Sequence, residues 1–448
     1  MHWPAAEDSD MRKLKSFLSG LGLFLVILAS VALWVMLPGV VLLGLAVLLA
    51  AWMAFTRIGR QAASVTWVGV STIRQRLGAS SVIIVGIAGV VGVLVALLAM
   101  GDGLQKTLRS TGDSETAIVL RGGATAELSS GVSRDHATLI AQSPGILRDA
   151  EGKPITSAEL VVVANLPKKS TGTDANVEVR GVGPQVWALR PNIRIVEGRK
   201  FTPGLREMIV GKGARQQFAG LDAGSTINLN NQQWTIVGVF ESGDAHESEL
   251  EGDVDTISAA YRRQGFQSIT VRLTSPEALD AFKASLASDP RLKVEAKTTL
   301  DYYTAQSEGL SKVIRVVGIT IAVIMAIGAI FGALNSMYAA VATRAREIAT
   351  LRAIGFRSPP VIVSVMLETM LLALIGGLLG AFIAWLLFNN YTVSTLGSNF
   401  SQVVFQFSVS PALLWTGVKW ALAIGFVGGL LPAVRAARLP VTTALRES

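Results

Sequence analysis

Six long apolar runs dominate the sequence and decide what kind of protein it can form. They occupy residues 17–36, 39–55, 82–100, 316–334, 361–388 and 412–434. An α-helix needs about 20 mostly apolar residues to cross the hydrocarbon core of a bilayer. The charged fraction of 16% is also well below the roughly 25% typical of soluble proteins. The sequence therefore predicts a polytopic α-helical membrane protein with about six transmembrane helices.

The first two runs are separated only by a turn at Pro38 and Gly39, which predicts a transmembrane hairpin. Because basic residues at positions 12–15 precede it, the first run also resembles a signal peptide. Signal peptides have an apolar segment of about 7–15 residues, whereas this run continues to Met36. A retained transmembrane helix is therefore favoured over a cleaved leader.

Basic residues are concentrated in alternate loops, and short cytoplasmic loops of membrane proteins are enriched in Lys and Arg. They are found in both tails, after the hairpin and after the fourth run, at Arg12, Lys13, Lys15, Arg57, Arg60, Arg74, Arg76, Arg344, Arg346, Arg352, Arg357, Arg435, Arg438 and Arg446. The segment 389–411 contains neither Lys nor Arg. This pattern predicts a multi-pass protein of the inner (cytoplasmic) membrane with both termini in the cytoplasm and one large domain outside.

The predicted topology divides the chain into eleven consecutive segments. These are a cytoplasmic tail (1–16), an extra transmembrane hairpin (17–55), a cytoplasmic amphipathic linker (56–81), the first core transmembrane helix (82–100), an extracytoplasmic domain (101–312), a transmembrane helix (313–334), a cytoplasmic loop (335–359), a transmembrane helix (360–388), an outer loop (389–411), a last transmembrane helix (412–434) and a cytoplasmic tail (435–448).

The net charge of +8 is unevenly distributed along the chain. Residues 101–312 contain 24 Lys and Arg against 26 Asp and Glu, which gives the outer segment a net charge of −2. The remaining residues therefore carry +10. Since this basicity follows the predicted orientation, it gives no support to nucleic-acid binding.

The outer segment 101–312 is predicted to be a mixed α+β domain. Runs rich in Val, Ile and Thr predict strands at 118–120, 159–165, 176–180, 208–210, 226–228, 233–240 and 268–273. Apolar periodicity predicts helices at 134–141, 213–218, 255–264, 276–288 and 298–309.

No motif in the chain indicates catalysis. The three histidines are scattered, cysteine is absent, and no phosphate loop of the Gly-x4-Gly-Lys-Ser/Thr type is present. The acidic stretch 241–255 could attract Ca²⁺ or a basic partner. It lacks the fixed ligand offsets and the glycine turn of a calcium loop, so a solvated flexible loop is predicted instead.

The loop after the fourth run contains a short amphipathic pattern. Val341, Ile348, Leu351 and Ile354 recur at roughly helical spacing, and Gly355 stands where a helix would end. Such a helix can rest on lipid headgroups or dock onto another protein, and periodicity alone favours the lipid surface.

Two charged residues lie within the apolar runs. Glu368 is about 10 Å into the fifth run at 1.5 Å per residue, which makes it a functional candidate or a structural link to a neighbouring helix or to the loop before it. Lys419 lies between Trp415 and Trp420, where its amine could reach the outer interface.

Several strings of residues carry a family resemblance. The segment 344–356 reads Arg-Ala-Arg-Glu-Ile-Ala-Thr-Leu-Arg-Ala-Ile-Gly-Phe, and it resembles the signature loop of the MacB/FtsX-like ABC-transporter permeases. The segments 431–447, 72–104, 196–199 and 237–239 resemble further parts of that family. The resemblance covers roughly residues 65–448 and is of the mechanotransmission type (type VII), without the ATPase that MacB fuses to its N-terminus.

The resemblance implies a dimeric permease, either a homodimer or a pseudo-symmetric pair. Its coupling helix would dock on a separate ABC ATPase subunit that uses ATP and Mg, while this chain carries no cofactor or metal and is not itself an enzyme. A periplasmic adaptor, an outer-membrane factor and membrane lipid are the other implied partners. The coupling element carries over to Arg344, Arg346, Glu347, Ile348, Leu351, Arg352 and Gly355, and the C-terminal family motif to Pro432, Arg435, Arg438, Leu445, Arg446 and Glu447.

MacB-like export is the first functional hypothesis. A regulator of a cell-wall hydrolase, similar to FtsX, and a lipoprotein-extracting permease are alternatives from the same superfamily. A receptor or scaffold with an outer sensing domain is an alternative outside it. An ion channel is disfavoured because the spans have no evident polar lining.

Overall fold

The computed structural model describes residues 33–397, 399 and 401–438. The chain divides into two compact units. The helical unit comprises Met1–Ala99, Arg315–Asn389 and Val409–Ser448, and the sheet unit comprises Met100–Ile314 and Asn390–Ser408.

The α-helices of the described residues are numbered in chain order. They are α1 (Gly39–Phe55), α2 (Arg57–Ser71), α3 (Leu77–Thr111), α4 (Arg134–Ala141), α5 (Val186–Leu189), α6 (Lys212–Gln217), α7 (Val254–Ala260), α8 (Ala278–Ser288), α9 (Thr299–Thr343), α10 (Ala345–Ala353), α11 (Ser358–Phe388) and α12 (Pro411–Arg438). Short 3-10 turns occupy Thr72–Arg76, Glu127–Ser129 and Ala245–Ser248.

The strands are numbered in the same way. They are β1 (Thr116–Arg121), β2 (Val132–Ser133), β3 (Thr156–Pro167), β4 (Asp174–Val182), β5 (Arg194–Gly198), β6 (Glu207–Gly211), β7 (Thr226–Leu229), β8 (Gln232–Glu241), β9 (Glu249–Asp253), β10 (Gly265–Phe266), β11 (Ser268–Arg272), β12 (Val294–Thr298), β13 (Thr392–Leu396) and β14 (Gln402–Gln406).

Four helices of the described residues, α3, α9, α11 and α12, are long and apolar enough to cross a membrane. The helices α1 and α2 pass the same test only as a pair that bends by 102°. The bend is at Thr56, whose extended backbone ends α1 and whose Oγ1 accepts a hydrogen bond from Gly59 N at 2.9 Å, which caps α2. Most of the first predicted run lies outside the described residues, so the count of six spans stays a prediction.

Close packing in the helical unit depends on small residues at helix contacts. A Cβ on Gly380 of α11 would lie 2.3 Å from the carbonyl oxygen of Ala88, and one on Gly425 of α12 would lie 2.4 Å from the Cβ of Ala373. Both glycines belong to Gly-x3-Gly pairs, a spacing that allows helices to approach closely. The corresponding pair on α9, Gly328 and Gly332, has no atom within 4 Å of either added Cβ.

Lys419 has a partner within the helical unit. Its Nζ donates a hydrogen bond to the carbonyl oxygen of Val35 at 2.6 Å, beside a stacked pair of Trp34 and Phe426 rings 6.4 Å apart. Residues 33–36 are helical and end just before Pro38, so the amine lies at a helix C-terminus, where a cation is favoured. The side chain thus joins the end of the first run to α12.

The sheet unit is built on one ten-stranded sheet. Its strand order is β12-β1-β11-β3-β4-β9-β6-β8-β5, with β7 paired to β8. The β4–β9 and β6–β8 pairs are parallel, and the others in this sheet are antiparallel. Helices pack on the sheet around a core that includes Leu160, Phe218, Trp234 and Phe282, none of which is more than 1% exposed.

The segment predicted as an outer loop, 389–411, contains more structure than expected. The strands β13 and β14 form an antiparallel hairpin that belongs to the sheet unit. Phe405 of β14 is 2% exposed and packs in a cluster with Leu104 and Leu108 of α3. Because the two strands are only five residues long, their alternation was too brief to distinguish from a loop.

The hairpin and the outer part of α3 meet at Gly103. A Cβ at this position would lie 2.1 Å from the carbonyl oxygen of Gln406. We therefore expect Gly103→Ala to destabilise the full chain by about 1–3 kcal/mol, because the backbone of β14 has to move away. Thermal unfolding in detergent checks this, with Gly86→Ala of the same helix as control, since its Cβ would meet nothing within 4 Å. Equal midpoints for the two variants would contradict the prediction.

Candidate functional site

Glu368 is the centre of a buried ion-pair cluster in the helical unit. Its side chain, on α11, is 4% exposed. Glu368 Oε1 accepts a hydrogen bond from Arg76 Nη2 at 2.9 Å, and Oε2 accepts one from Arg344 Nη1 at 3.1 Å. Arg76 ends the 3-10 turn before α3, and Arg344 immediately precedes α10. One carboxylate therefore connects α11 to the start of α3 and the start of α10.

The amphipathic helix α2 packs against the same cluster. A Cβ on Gly69 would lie 3.1 Å from Glu368 Oε2 and 3.3 Å from Arg344 Nη1. A larger residue would press on both charged groups, so the absence of a side chain lets α2 approach them. No sequence pattern predicted this role of Gly69, and Arg76 was predicted only to mark the cytoplasmic side of the membrane.

The helix α10 lies where the amphipathic pattern predicts a helix, and Gly355 ends it as expected. Gly355 has a φ of +107°, a conformation that favours glycine. Its N–H donates to the carbonyl of Arg352 and the N–H of Phe356 donates to that of Leu351, both at 3.1 Å. This pair of bonds is the Schellman motif, which satisfies the last carbonyls of a helix.

The side chains of α10 divide between a buried and an exposed face. Ile348 is buried, whereas Leu351 and Arg352 are half-buried. Arg346 and Glu347 are exposed, although Glu347 Oε2 also accepts a hydrogen bond from Arg344 Nε at 3.1 Å. The helix is thus fixed on one side and presents charged side chains on the other.

An apolar groove of about 510 Å³ lies beside α10 in the helical unit. Its apolar lining comes from α2, α10, α11 and the turn before α11, namely Val65, Val68, Ile348, Leu351, Phe356, Val361 and Val365. Arg344 and Glu347 also line it. This combination of apolar floor and charged residues can hold the apolar side chains of a docking protein.

The C-terminal motif is described in part. Pro432 is buried within α12, and the guanidinium carbon of Arg435 lies 5.3 Å from the centre of the Tyr338 ring. Arg438 is the last described residue and is exposed. The predicted residues Leu445, Arg446 and Glu447 lie outside the described residues.

The sheet unit contains a second buried charge cluster, centred on Arg180 of β4. Arg180 is 1% exposed and donates hydrogen bonds to four carboxylates. Their shortest distances are 2.6 Å for Glu249 and Glu178, 2.9 Å for Glu127 and 3.0 Å for Glu159. Arg190 extends the cluster by binding Glu159 at 2.6 Å and Glu251 at 3.2 Å.

This cluster shows that the prediction for residues 241–255 was wrong. Instead of a solvated loop, Glu249–Asp253 form β9, whose five residues are all buried. The strand pairs in parallel with β4, which brings Glu249 and Glu251 next to the buried Arg180 and Arg190. The local pattern gave no signal, because Arg180 follows Asp174, Asn176 and Glu178 in the polar phase of an ordinary strand alternation.

The carboxylates of the cluster outnumber its guanidinium groups, and this excess of buried acid shifts the pKa values of several glutamates. Burial raises the pKa of Glu249 to about 7, opposed by Arg180 and reinforced by Glu178. Burial also raises the pKa of Glu251, although Arg190 opposes it. Burial and Arg190 lower the pKa of His246, but Asp244 and Glu249 outweigh them and raise it.

Two other buried acids, Glu127 of the cluster and Asp244 beside His246, have lowered pKa values. Burial raises the pKa of Glu127, but Arg180 outweighs burial and holds this pKa below its ordinary value. The pKa of Asp244 is likewise lowered, because His246 and hydrogen bonds from Ser242 and Asn192 outweigh its burial. Within the described part of the chain, no group of three or more His, Asp or Glu side chains could hold a metal ion.

Four helices long and apolar enough to cross a membrane, combined with an α+β unit, are typical of a polytopic membrane protein with a folded domain outside the bilayer. Residues 80–289 match the MacB-like periplasmic core domain, and residues 319–441 match the FtsX-like permease C-terminal domain. The chain therefore belongs to the MacB/FtsX-like family of ABC-transporter permeases, as its sequence motifs predicted.

Named relatives are similar at low identity. The chain is 29% identical over 303 residues to the macrolide export ATP-binding/permease protein MacB of Hahella chejuensis, covering 61% of this chain and 43% of that protein. It is 24% identical over 396 residues to the ABC transporter permease YvrN of Bacillus subtilis, covering 81% of this chain and 93% of that one.

The chain spans about half the length of the MacB relatives it matches, 43% of one and 57% of another. Among solved structures, the periplasmic region of MacB from Actinobacillus actinomycetemcomitans matches 44% of this chain and 94% of its own, at 14% identity and a TM-score of 0.33. Because that score is low, the family assignment depends on the sequence matches.

The ion pairs of Glu368 can be tested by substitution. Replacing it with Leu leaves Arg76 and Arg344 without their shared carboxylate, so we expect a loss of about 3–5 kcal/mol in stability. Thermal unfolding of the full chain in detergent measures this. Glu308→Leu, at an exposed glutamate in the outer part of α9, is the control and should cost little. A Glu368→Leu variant as stable as this control would show that the ion pairs are dispensable.

The stability of the sheet unit should depend on pH. Because the pKa of Glu249 is higher in the folded than in the unfolded chain, its stabilising contribution is present at acidic pH and is lost as pH rises through about 7. The raised pKa values of Glu251 and His246 act in the same direction. We expect the sheet unit to be about 2–3 kcal/mol more stable at pH 5.5 than at pH 8.

Pulse proteolysis of the full chain across a urea series measures this difference, scored on fragments from residues 100–314. In Glu249→Gln the stability difference between the two pH values should shrink. Greater stability at pH 8 in the unmodified chain would reverse the expected sign and refute the assignment.

Proposed function

We propose that this chain is the permease subunit of an ABC transporter, in which a separate ATPase drives motion of the sheet unit. The ATPase would use ATP and Mg and would dock on α10. The observation that carries the proposal is the arrangement of this helix: its start is tied to Glu368 through Arg344, while Arg346 and Glu347 are exposed. A helix fixed in this way can pass a displacement to the core instead of rotating freely.

The backbone provides a path along which such a displacement would reach the sheet unit. The helices α3 and α9 continue from the helical unit into the sheet unit, and α11 and α12 are joined to each other through the hairpin segment of the sheet unit. In the proposed topology, six transmembrane helices lie in the inner membrane with both termini in the cytoplasm. The sheet unit would then be periplasmic, and α10 would face the ATPase.

The proposed activity is export from the periplasm or the outer leaflet, as a dimer, with an adaptor and an outer-membrane duct. The similarity to proteins named for macrolide export supports this choice. Regulation of a cell-wall hydrolase and lipoprotein extraction use the same coupling and differ in what the sheet unit contacts. Cross-linking of the full chain in its native membrane distinguishes them, since it would capture an adaptor, a hydrolase or a lipoprotein.

Charge reversal on α10 tests the coupling. We expect Glu347→Arg and Arg352→Glu each to reduce co-purification with the ATPase subunit by about tenfold or more, and the ATPase activity of the complex to fall by a similar factor. The reason is that bringing like charges together at an interface costs several kcal/mol. The matched control is Arg60→Glu, an exposed arginine on α2. An unaffected complex in both α10 variants would refute docking at this helix.

A further inference from the structure

The hairpin of β13 and β14 is attached to the sheet unit through buried polar contacts. Asn399 Nδ2 and Ser401 Oγ donate hydrogen bonds to Glu178 Oε2 at 3.1 and 3.0 Å. The backbone N–H of Val404 donates to Ser248 Oγ at 2.8 Å. Asn399 and Ser401 are both buried, so water cannot easily replace these bonds. The hairpin is also the segment that joins α11 to α12.

Both attachment points adjoin Glu249. Ser248 precedes it in the chain, and Glu178 shares a guanidinium nitrogen with it. Arg180 Nη2 lies 2.6 Å from Glu178 Oε1 and 3.2 Å from Glu249 Oε1. A change of charge on Glu249 therefore alters the position and strength of the bond that Arg180 makes to Glu178.

The neighbours of Glu249 determine whether its ionisation strengthens or weakens the attachment of the hairpin. Its charged and titratable neighbours come from every element packed around it: Glu178 and Arg180 of β4, Glu127 of the 3-10 turn 127–129, Glu159 of β3, His246 of the 3-10 turn 245–248, and Tyr303 of α9. Four carboxylates thus share one fully buried guanidinium, so at least one of them is held in an environment that disfavours its ionised form.

We propose that Glu249 is a proton-sensitive latch for the hairpin. When Glu249 is protonated, Arg180 and Ser248 stay in place and hold Glu178 and Val404. When Glu249 is ionised, the hairpin loosens from the sheet unit. Ionisation adds a negative charge to a cluster that already has too few cations. Water can relieve this excess charge by entering along the hairpin, which is held to Glu178 and Ser248 by single hydrogen bonds and not by continuous β-pairing.

The expected size of the effect follows from linkage. With a pKa near 7 in the closed state and an ordinary value once water has entered, Glu249 favours opening more strongly as pH rises. Between pH 6 and pH 8 the ratio of open to closed hairpin should increase about tenfold. His246, whose pKa is also raised, acts in the same direction. This device does not depend on an ATPase partner and goes beyond the proposed transport function.

Hydrogen–deuterium exchange of the full chain in lipid nanodiscs tests the proposal. Peptides covering residues 392–406 are compared at pH 6 and pH 8, with labelling times scaled for the intrinsic pH dependence of exchange. We expect about tenfold less protection of the hairpin at pH 8. Peptides covering β8, at 232–241, serve as an internal reference: their protection follows the stability of the whole sheet unit and should exceed that of the hairpin at both pH values, because the hairpin opens without unfolding the sheet.

Three variants make the result specific. Glu249→Gln should keep the hairpin protected at both pH values, because the side chain can no longer ionise. Ser401→Ala, which removes a latch bond without touching Glu249, should lower protection at both. Glu295→Gln, an exposed glutamate on β12, should behave like the unmodified chain.

The proposal is overturned if hairpin protection in the unmodified chain is the same at both pH values, or if the hairpin and β8 have equal protection at each pH, which would mean that they open together. It is equally overturned if Glu249→Gln retains the tenfold difference. Should Glu249→Gln fail to fold, the pH comparison in the unmodified chain and the Ser401→Ala variant still decide between these outcomes.

Discussion

A carboxylate buried among apolar helices is stable only when cations elsewhere in the chain neutralise it, and this requirement organises the helical unit. Glu368 receives its two guanidinium partners from separate segments, Arg76 before α3 and Arg344 before α10. The positions of both segments are therefore fixed relative to α11. Removing Glu368 would leave both guanidinium groups without their shared carboxylate.

This constraint explains why a helix as short as α10 can have a defined position. Nine residues are too few to form a stable helix on their own in water. Here the start is held by Arg344, the end is closed by Gly355, and Ile348 is buried between them. The exposed residues Arg346 and Glu347 are then presented at fixed positions, which is what a docking surface requires.

Sequence patterns predicted the features that depend on local or periodic signals. The apolar runs anticipated α3, α9, α11 and α12, the pattern at 134–141 anticipated α4, and the glycine at 355 anticipated the end of α10. The family motifs identified the permease family, which the matched domains confirm.

The features that the sequence did not reveal depend on pairing between distant residues. Arg76 and Glu368 are 292 residues apart, and Gly69 has significance only because it faces them. The strand β9 was read as a loop because Glu249 and Glu251 are polar on any hydropathy scale. Only their pairing with β4, which supplies Arg180, makes their burial possible.

The two charge clusters differ in stoichiometry, and this difference assigns them different roles. In the helical unit, two guanidinium groups flank one carboxylate, so the charge of Glu368 is fully offset and the contact is a fixed connection. In the sheet unit, four carboxylates share Arg180, and the raised pKa of Glu249 is the consequence. A cluster with excess acid can change its charge near neutral pH, as the raised pKa of Glu249 allows. The cluster in the sheet unit, beside the hairpin, therefore responds to protons, whereas the cluster in the helical unit, beside α10, serves as a fixed connection.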